Sequence, residues 1–268
     1  MPSVIYEKKD GIAYITLNRP EVMNAINLEM GQTLADAWFD FRDDPDMRVA
    51  IITGAGDKSF SAGADLKQGL GAPGRTTVPG KEGWVSPVRG KPAWMMAFLR
   101  DMEIWKPIVA AINGYCYAGA FEMVLACDIR LAVPHASFAM AEAKWGMFPE
   151  GGGMTMLPRL IPRGVALEMF YTAKPITAQR AHEIGLVNRI VPPEELLPTA
   201  TEIAKTICEN GPLSIRAIKE CAYKTAQMSI QESLHFEHVY GDPVMNSEDA
   251  KEGPRAFAEK RSPRFRGI

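Results

Sequence analysis

Apolar and polar positions divide the chain into two unequal parts. Up to about residue 193, short β-branched runs alternate with turns and single helices; beyond it the pattern is helical. Residues 4–8 and 12–17 predict a hairpin, with Lys9-Asp10-Gly11 as its turn and Asn18-Arg19-Pro20 as its end. A helix is predicted from about Asn27, whose side chain can cap it, with Met30, Leu34, Trp38 and Phe41 on one face. Residues 48–53 form a β-branched strand running into Gly54-Ala55-Gly56. Behind Lys106-Pro107, residues 108–112 predict a buried strand that breaks at Asn113-Gly114. A helix follows from about Gly119, then short strands at 128–133 and 137–140. Helices are predicted at about 164–172, 177–184, 194–209, 213–226, 230–240 and 247–260. The change near Pro192-Pro193 predicts a core, 1–193, followed by a helical region, 194–268.

Three stretches carry candidate chemistry. In the stretch from Phe60 to Lys67, Ser61-Ala62-Gly63-Ala64 follows a strand and leads to a helix start, an arrangement that points free backbone amides into a cleft; an ordinary tight turn fits as well. In Ala118-Gly119-Ala120-Phe121-Glu122, small residues permit close approach of another molecule. Glu122 can cap the first turn of its helix, yet Phe121 and Met123 place it in a segment apolar enough to be core, where a lone carboxylate is costly. The third stretch runs from Glu142 to Gly153. Glu150 stands eight residues after Glu142, with Gly151-Gly152-Gly153 behind it, and either acid alone could be a solvated loop residue. Residues 68–98, rich in glycine and proline and then bulky at Trp84, Trp94, Met95, Met96 and Phe98, predict a mobile loop and short helix serving as lid or pocket wall, with bland surface packing as the alternative. Trp145 is a further pocket-wall candidate.

Composition narrows the classes. The 268 residues are 47% hydrophobic, enough for a sizeable core, and the formal net charge of −2 argues against a polyanion-binding surface, so no nucleic-acid partner is expected. Cys116, Cys127, Cys208 and Cys221 lack metal-ligand spacing and read as reduced thiols of a cytoplasmic protein, with no metal expected. No charged leader precedes an apolar run at the N-terminus, and Asn113, Glu122, Asp128 and Arg130 interrupt the apolar stretch 108–133, so neither a secretion signal nor a membrane span is expected. Gly54-Ala55-Gly56 lacks the third glycine of a dinucleotide loop, since Ser59 stands there. No Gly-x-Ser-x-Gly occurs, and His135, His182, His235 and His238 stand outside the motifs.

Taken together, the segments 60–67, 106–128 and 142–153, with the opening Ile15-Thr16-Leu17-Asn18-Arg19-Pro20, Asn24-Ala25 and the ending Phe257-Ala258-Glu259-Lys260-Arg261, resemble the enoyl-CoA hydratase/isomerase (crotonase) family over nearly the whole chain. The resemblance implies an α/β crotonase-like spiral of ββα turns with a C-terminal helical trimerisation region, assembled as a homotrimer or a dimer of trimers. It implies an acyl-CoA thioester as substrate and no cofactor beyond the CoA that the substrate carries. The thioester oxygen would be gripped by the amides of Ala64 and Gly119, and a water worked between Glu122 and Glu142. Ala62 and the segment Ala64, Asp65, Leu66 and Lys67 would line the CoA channel, and Lys67 or Lys260 would meet its phosphates. The activity so implied is hydration of 2-enoyl-CoA to 3-hydroxyacyl-CoA. Glu150 stands where double-bond isomerases of the family carry a catalytic acid, which leaves a Δ3-Δ2 isomerase as an alternative, and a catalytically silent acyl-CoA-binding trimer as another. The family's usual glycine triplet before the first acid is Ala118-Gly119-Ala120 here.

Overall fold

Asp10 and Gly11 both take positive φ, 53° and 77°, which matches the twist of a two-residue hairpin turn. The strands they join, β1 (Val4–Lys9) and β2 (Ile12–Leu17), pair antiparallel as expected. Asn27 accepts from the Met30 amide at 2.9 Å and starts helix α1 (Leu28–Asp43). Met30, Leu34, Trp38 and Phe41 are fully buried along it, each contributing about 1.5–3 kcal/mol relative to exposure. The structure, a computed structural model, describes residues 1–67, 93–100 and 102–268; the expected lid at 68–92, Trp84 included, lies outside the described residues.

The spiral expected from the resemblance is present. The chain lays one strand in a first sheet, turns a corner, and lays the next in a second sheet. It does so three times: β3 (Val49–Gly54) into β4 (Ser59–Ser61), β5 (Ile108–Ile112) into β6 (Tyr115–Tyr117), and β7 (Ile129–Ala132) into β8 (Ser137–Ala139). Helix α2 (Ala93–Ala97) lies between the first and second of these turns, and α3 (Gly119–Leu125) follows the second. β9 (Ile176–Thr177) completes the second sheet, in the order β4-β6-β8-β9, and β10 (Arg189–Ile190) the first, in the order β1-β2-β3-β5-β7-β10. These last two strands are too short to show a period of two, so the sequence pattern does not reveal them. That pattern also predicts the helical part only from Gly164, whereas α4 (Gly153–Leu160) precedes α5 (Arg163–Thr172) despite Pro158 inside it.

The corners are where the turns stack. A Cβ on Gly54 would lie 2.4 Å from the Phe60 carbonyl oxygen, and one on Gly114 would lie 2.1 Å from that of Lys58. Two asparagines tie the stack. Asn24 donates to the carbonyls of Ala55 (3.0 Å) and Ser59 (2.8 Å), and Asn113 donates to those of Gly54 and Gly56, both at 2.8 Å. Each closes carbonyls that the corner leaves without strand partners.

Beyond residue 193 the chain packs back onto this core. Helix α6 (Ala178–Glu183) is followed by α7 (Leu196–Glu209), which lies on β3 and β5. Leu196, Ala200 and Ala204 are buried there, and Ile203 and Ile207 pack on the same core. The apolar face of α7 is therefore covered by its own sheet. Exposed apolar side chains sit further on, in α8 (Pro212–Thr225) and α9 (Ile230–Met245), before the closing α10 (Glu248–Ala258). No helix among the described residues is long and apolar enough to cross a membrane.

Corner packing can be tested directly. Gly114→Ala is expected to destabilise the fold by about 3 kcal/mol, because the backbone it faces must move to admit a methyl. Gly164→Ala, within α5 and with nothing within 4 Å of its Cβ, should be neutral or stabilising by up to about 1 kcal/mol. Urea unfolding of the two variants checks the contrast.

Candidate active site

Strands β4, β6 and β8 run parallel and adjacent in the second sheet, so the segments after them emerge side by side at their carboxyl ends. In parallel sheets that edge is where ligands bind. The three segments are those the sequence singled out: Ala62 to Lys67 after β4, Ala118 to Glu122 after β6, and Glu142 after β8.

After β4, Gly63 takes φ 88°, and a Cβ there would lie 2.7 Å from the Tyr117 oxygen and 3.1 Å from the Gly119 nitrogen. The loops after β4 and β6 thus touch backbone to backbone. Ile26 bridges to Ala64 by donating to the Gly63 carbonyl and accepting from the Asp65 amide, which turns the Ala64 amide away from that bridge. Gly119 opens α3, where the first amides have no intrahelical acceptor. Neither the Ala64 nor the Gly119 N–H donates to any partner among the described residues. Phe98 lies on the other side of Gly119, since a Cβ there would meet its Cζ at 2.9 Å. Of the proposed wall residues, Phe98 is thus at the site, Met96 is buried and Trp145 is exposed.

Ala118 holds the approach to Gly119 at φ 51°, ψ −131°, a conformation that glycine takes freely and alanine does not. Such strain costs on the order of 1–3 kcal/mol and persists only where neighbours enforce it. Here the Ala118 amide donates to the Ala139 carbonyl at 2.8 Å, and its own carbonyl accepts from the Glu122 amide at 3.0 Å.

Glu122 and Glu142 are both buried, 5% and 7% exposed. Glu122 sits one turn into α3, and its Oε1 accepts from the Gly153 amide at 2.9 Å. A Cβ on Gly151 would lie 2.5 Å from its Oε2, and one on Gly153 3.0 Å from its Oε1. Gly151 and Gly153 are therefore the cradle of the Glu122 carboxylate. Burial pushes the Glu122 pKa up to about 7; the Gly153 and Gly151 amides pull against it, the Glu142 charge adds to it, and Arg100 opposes it. Burial likewise raises Glu142, whose Oε2 has no hydrogen-bond partner among the described residues. A buried carboxyl oxygen without a partner is costly and marks a group kept for something other than stability.

The remaining expectations divide. Asp65 is buried, and its carboxylate is taken by Arg19 at 3.0 Å and by the Lys67 amide at 3.1 Å. Its carboxylate thus braces the loop. Ala62 is half-buried, and Leu66 and Lys67 are exposed beside it. Lys260 follows α10, a helix packed against α9. Glu150 is exposed, and its backbone carbonyl accepts from Arg100. Sequence reasoning missed the roles of Gly151, Gly153 and Arg100; the glycine triplet was the visible signal. Among the described residues no three His, Cys, Asp or Glu side chains group as a metal site.

The family model for enoyl-CoA hydratase/isomerase matches residues 7–267. The chain belongs to the enoyl-CoA hydratase/isomerase family. It is 40% identical to a carnitinyl-CoA dehydratase of Salmonella arizonae over 260 residues, covering 96% of this chain and 95% of that protein. It is 39% identical to an (E)-benzylidenesuccinyl-CoA hydratase of Thauera aromatica, covering 98% and 99%. An enoyl-CoA hydratase from Mycobacterium tuberculosis superposes with a TM-score of 0.88 at 36% identity over all of both chains, and one from Bacillus anthracis with 0.88 at 34% over 99% and 100%. The hydro-lyase class expected from sequence agrees with the hydratase and dehydratase names of these enoyl-CoA hydratase/isomerase relatives.

The raised Glu122 pKa has a consequence for stability. Between the ordinary value of 4.5 and about 7, the folded chain holds a proton there that the unfolded chain has lost. Stability from this group is complete below pH 4.5 and is lost as pH rises through 7, by about 3 kcal/mol in total. Glu122→Gln, which never ionises, is expected to melt above wild type at pH 8 and close to it at pH 4.5. Thermal unfolding at the two pH values checks it.

Proposed function

We propose that this protein hydrates a 2-enoyl-CoA to the 3-hydroxyacyl-CoA, with Glu122 and Glu142 acting on one water. The observation that carries the reading is the pair of buried, mutually interacting carboxyls, one with a raised pKa near 7 and the other with an oxygen that has no partner among the described residues. Water oxygen adds to the β-carbon, a carboxylate takes its proton, and a carboxylic acid delivers a proton to the α-carbon. Burial raises both carboxyls, Glu122 to about 7, and an acid held near neutrality can either take or give a proton. The Glu142 charge adds to the rise at Glu122, so the state of one acid bears on the other.

Addition at the β-carbon drives negative charge onto the thioester oxygen. The amides of Ala64 and Gly119, without acceptors among the described residues, are the donors that would receive it. Losing one such donor typically costs about 2.7–4 kcal/mol in the transition state. The reaction needs no cofactor beyond the CoA of the substrate. The relatives named above, a carnitinyl-CoA dehydratase and a benzylidenesuccinyl-CoA hydratase, support an enoyl-CoA whose β-substituent is more elaborate than a straight chain. The exposed Glu150 does not share the burial of the other two acids, which disfavours the isomerase alternative.

We further infer a homotrimer or a dimer of trimers, formed through α8 and α9. Ile218, Ile230, Leu234, Val239 and Met245 are 62, 81, 55, 56 and 74% exposed there, more apolar surface than a lone helix pair ordinarily shows to water.

Glu122→Gln and Glu142→Gln are each expected to lower kcat on a 2-enoyl-CoA by about 10²–10⁴. Glu150→Gln should lose less than about tenfold, or 1.4 kcal/mol. Conversion of a 3-enoyl-CoA by wild type that Glu150→Gln abolishes would instead establish the isomerase. Sedimentation at micromolar concentration should show the trimer or its multiple, and a stable monomer would refute the assembly.

A further inference from the structure

Arg100 stands outside every motif in the sequence, yet three observations join it to the acid pair. Its guanidinium donates to the backbone carbonyl of Glu150. That residue directly precedes the glycines whose amides cradle Glu122, with the Gly153 nitrogen 2.9 Å from Oε1. Its positive charge also acts on the Glu122 carboxylate itself.

The segment that presents Arg100 is well anchored. The Trp38 indole, buried in α1, donates to the Ala97 carbonyl at 3.2 Å. Leu99 then turns the chain at φ 61°, a left-handed conformation rarely taken by a branched side chain. Its amide donates to the Met96 carbonyl at 3.0 Å, the Arg100 amide donates to that of Met95 at 3.3 Å, and Phe98 packs on Gly119. A strained residue held by packing and hydrogen bonds fixes the direction of the next side chain. That direction is toward the loop that holds the acid.

We propose that Arg100 is a positioning residue for the acid–base pair: it holds the Glu150 carbonyl so that the amides of Gly151 and Gly153 stay closed around the Glu122 carboxylate, and it sets a positive charge beside that carboxylate. Arginine suits the task because its planar fork can bond a carbonyl with one edge and keep its charge. Among the described residues, the charged groups that act on Glu122 are Glu142, which favours the protonated form, and Arg100, which favours the ionised one. The position thus lets the protein keep a buried carboxyl within reach of neutrality. The inference rests on the hydration reading above only for its kinetic consequence.

The test compares wild type, Arg100→Gln and Arg100→Lys in two ways. The first is the pH dependence of kcat and KM on a 2-enoyl-CoA. The second is infrared titration of the Glu122 carboxyl band, assigned by its absence in Glu122→Gln. Arg100→Gln is expected to lose at least about tenfold in kcat with KM little changed. The limb of the profile that reports the pair should move to higher pH, and the band should titrate at higher pH. Arg100→Lys keeps the charge and should restore the titration toward wild type while restoring less of kcat. An unmoved band in Arg100→Gln overturns the proposal, whatever the kinetics. Should Arg100→Gln not fold, Arg100→Lys decides: wild-type kcat in that variant overturns the need for the guanidinium fork. Absence of hydration by wild type would refute the proposed function and leave the infrared result to stand or fall alone.

Discussion

Backbone-to-backbone contact at the corners is the constraint on which the rest depends. A side chain at Gly114 would have to sit 2.1 Å from a carbonyl oxygen, so two turns of the spiral approach as closely as peptide groups permit. Contact of that kind allows little slip. Asn24 and Asn113 fix what is left by bonding carbonyls of the neighbouring turn. The strands of the second sheet are only two or three residues long, too short to hold a register alone. Their register is therefore inherited from the corners. With it comes the placement of Ala64 and Gly119, because each lies within three residues of a strand end.

A site built on that frame then carries two acids where solvent would ordinarily be needed. The cost of burial appears as raised pKa values, and it is only partly offset by the amides of Gly151 and Gly153. Offsetting it fully would produce an inert carboxylate, as Glu252 illustrates. That acid accepts from Arg255, Arg261 and the Arg264 amide, and the arginines hold its pKa far below the usual carboxylate range. The difference lies in how many donors and cations the chain gathers. Glu252 is saturated and serves as a clasp for the C-terminal tail. Glu122 is held in place yet left able to take a proton.

Local chemistry was legible in the sequence wherever a residue acts on its own neighbours. Asp10-Gly11 closing a hairpin and Asn27 capping α1 need nothing from elsewhere in the chain. The alternation of strands and helices came through for the same reason. Glu122 stood out by its apolar neighbours, whereas Glu142 and the oxyanion candidates became legible only through resemblance to a family, since spacing alone left each of them a turn or a solvated loop. What stayed hidden was everything decided by a distant partner. The apolar face of α7 is plain in sequence, but periodicity does not say whether a sheet or a second subunit covers it. The partner that takes the Asp65 carboxylate, Arg19, stands 46 residues away in the chain. Helix α4 was masked by a glycine triplet at its start and a proline inside it, and those glycines are there for Glu122.

The departure from the family's glycine triplet fits the same logic. Alanine at 118 accepts φ 51° at a cost that glycine would not incur, and its methyl stands where a Cβ on Gly63 would come within 2.9 Å. The two loops therefore share one slot: a side chain on one side and none on the other. With glycine at both positions, the slot would be empty and the Gly119 amide freer to rotate about its neighbours. With alanine at both, the loops would be forced apart. Strain at Ala118 is thus the counterpart of the bare backbone at Gly63, and together they restrict where the Gly119 amide can point. In the proposed hydration the Gly119 amide meets charge that develops only in the transition state, and it gains from such restriction, because reorienting it during the reaction would consume part of the stabilisation it offers.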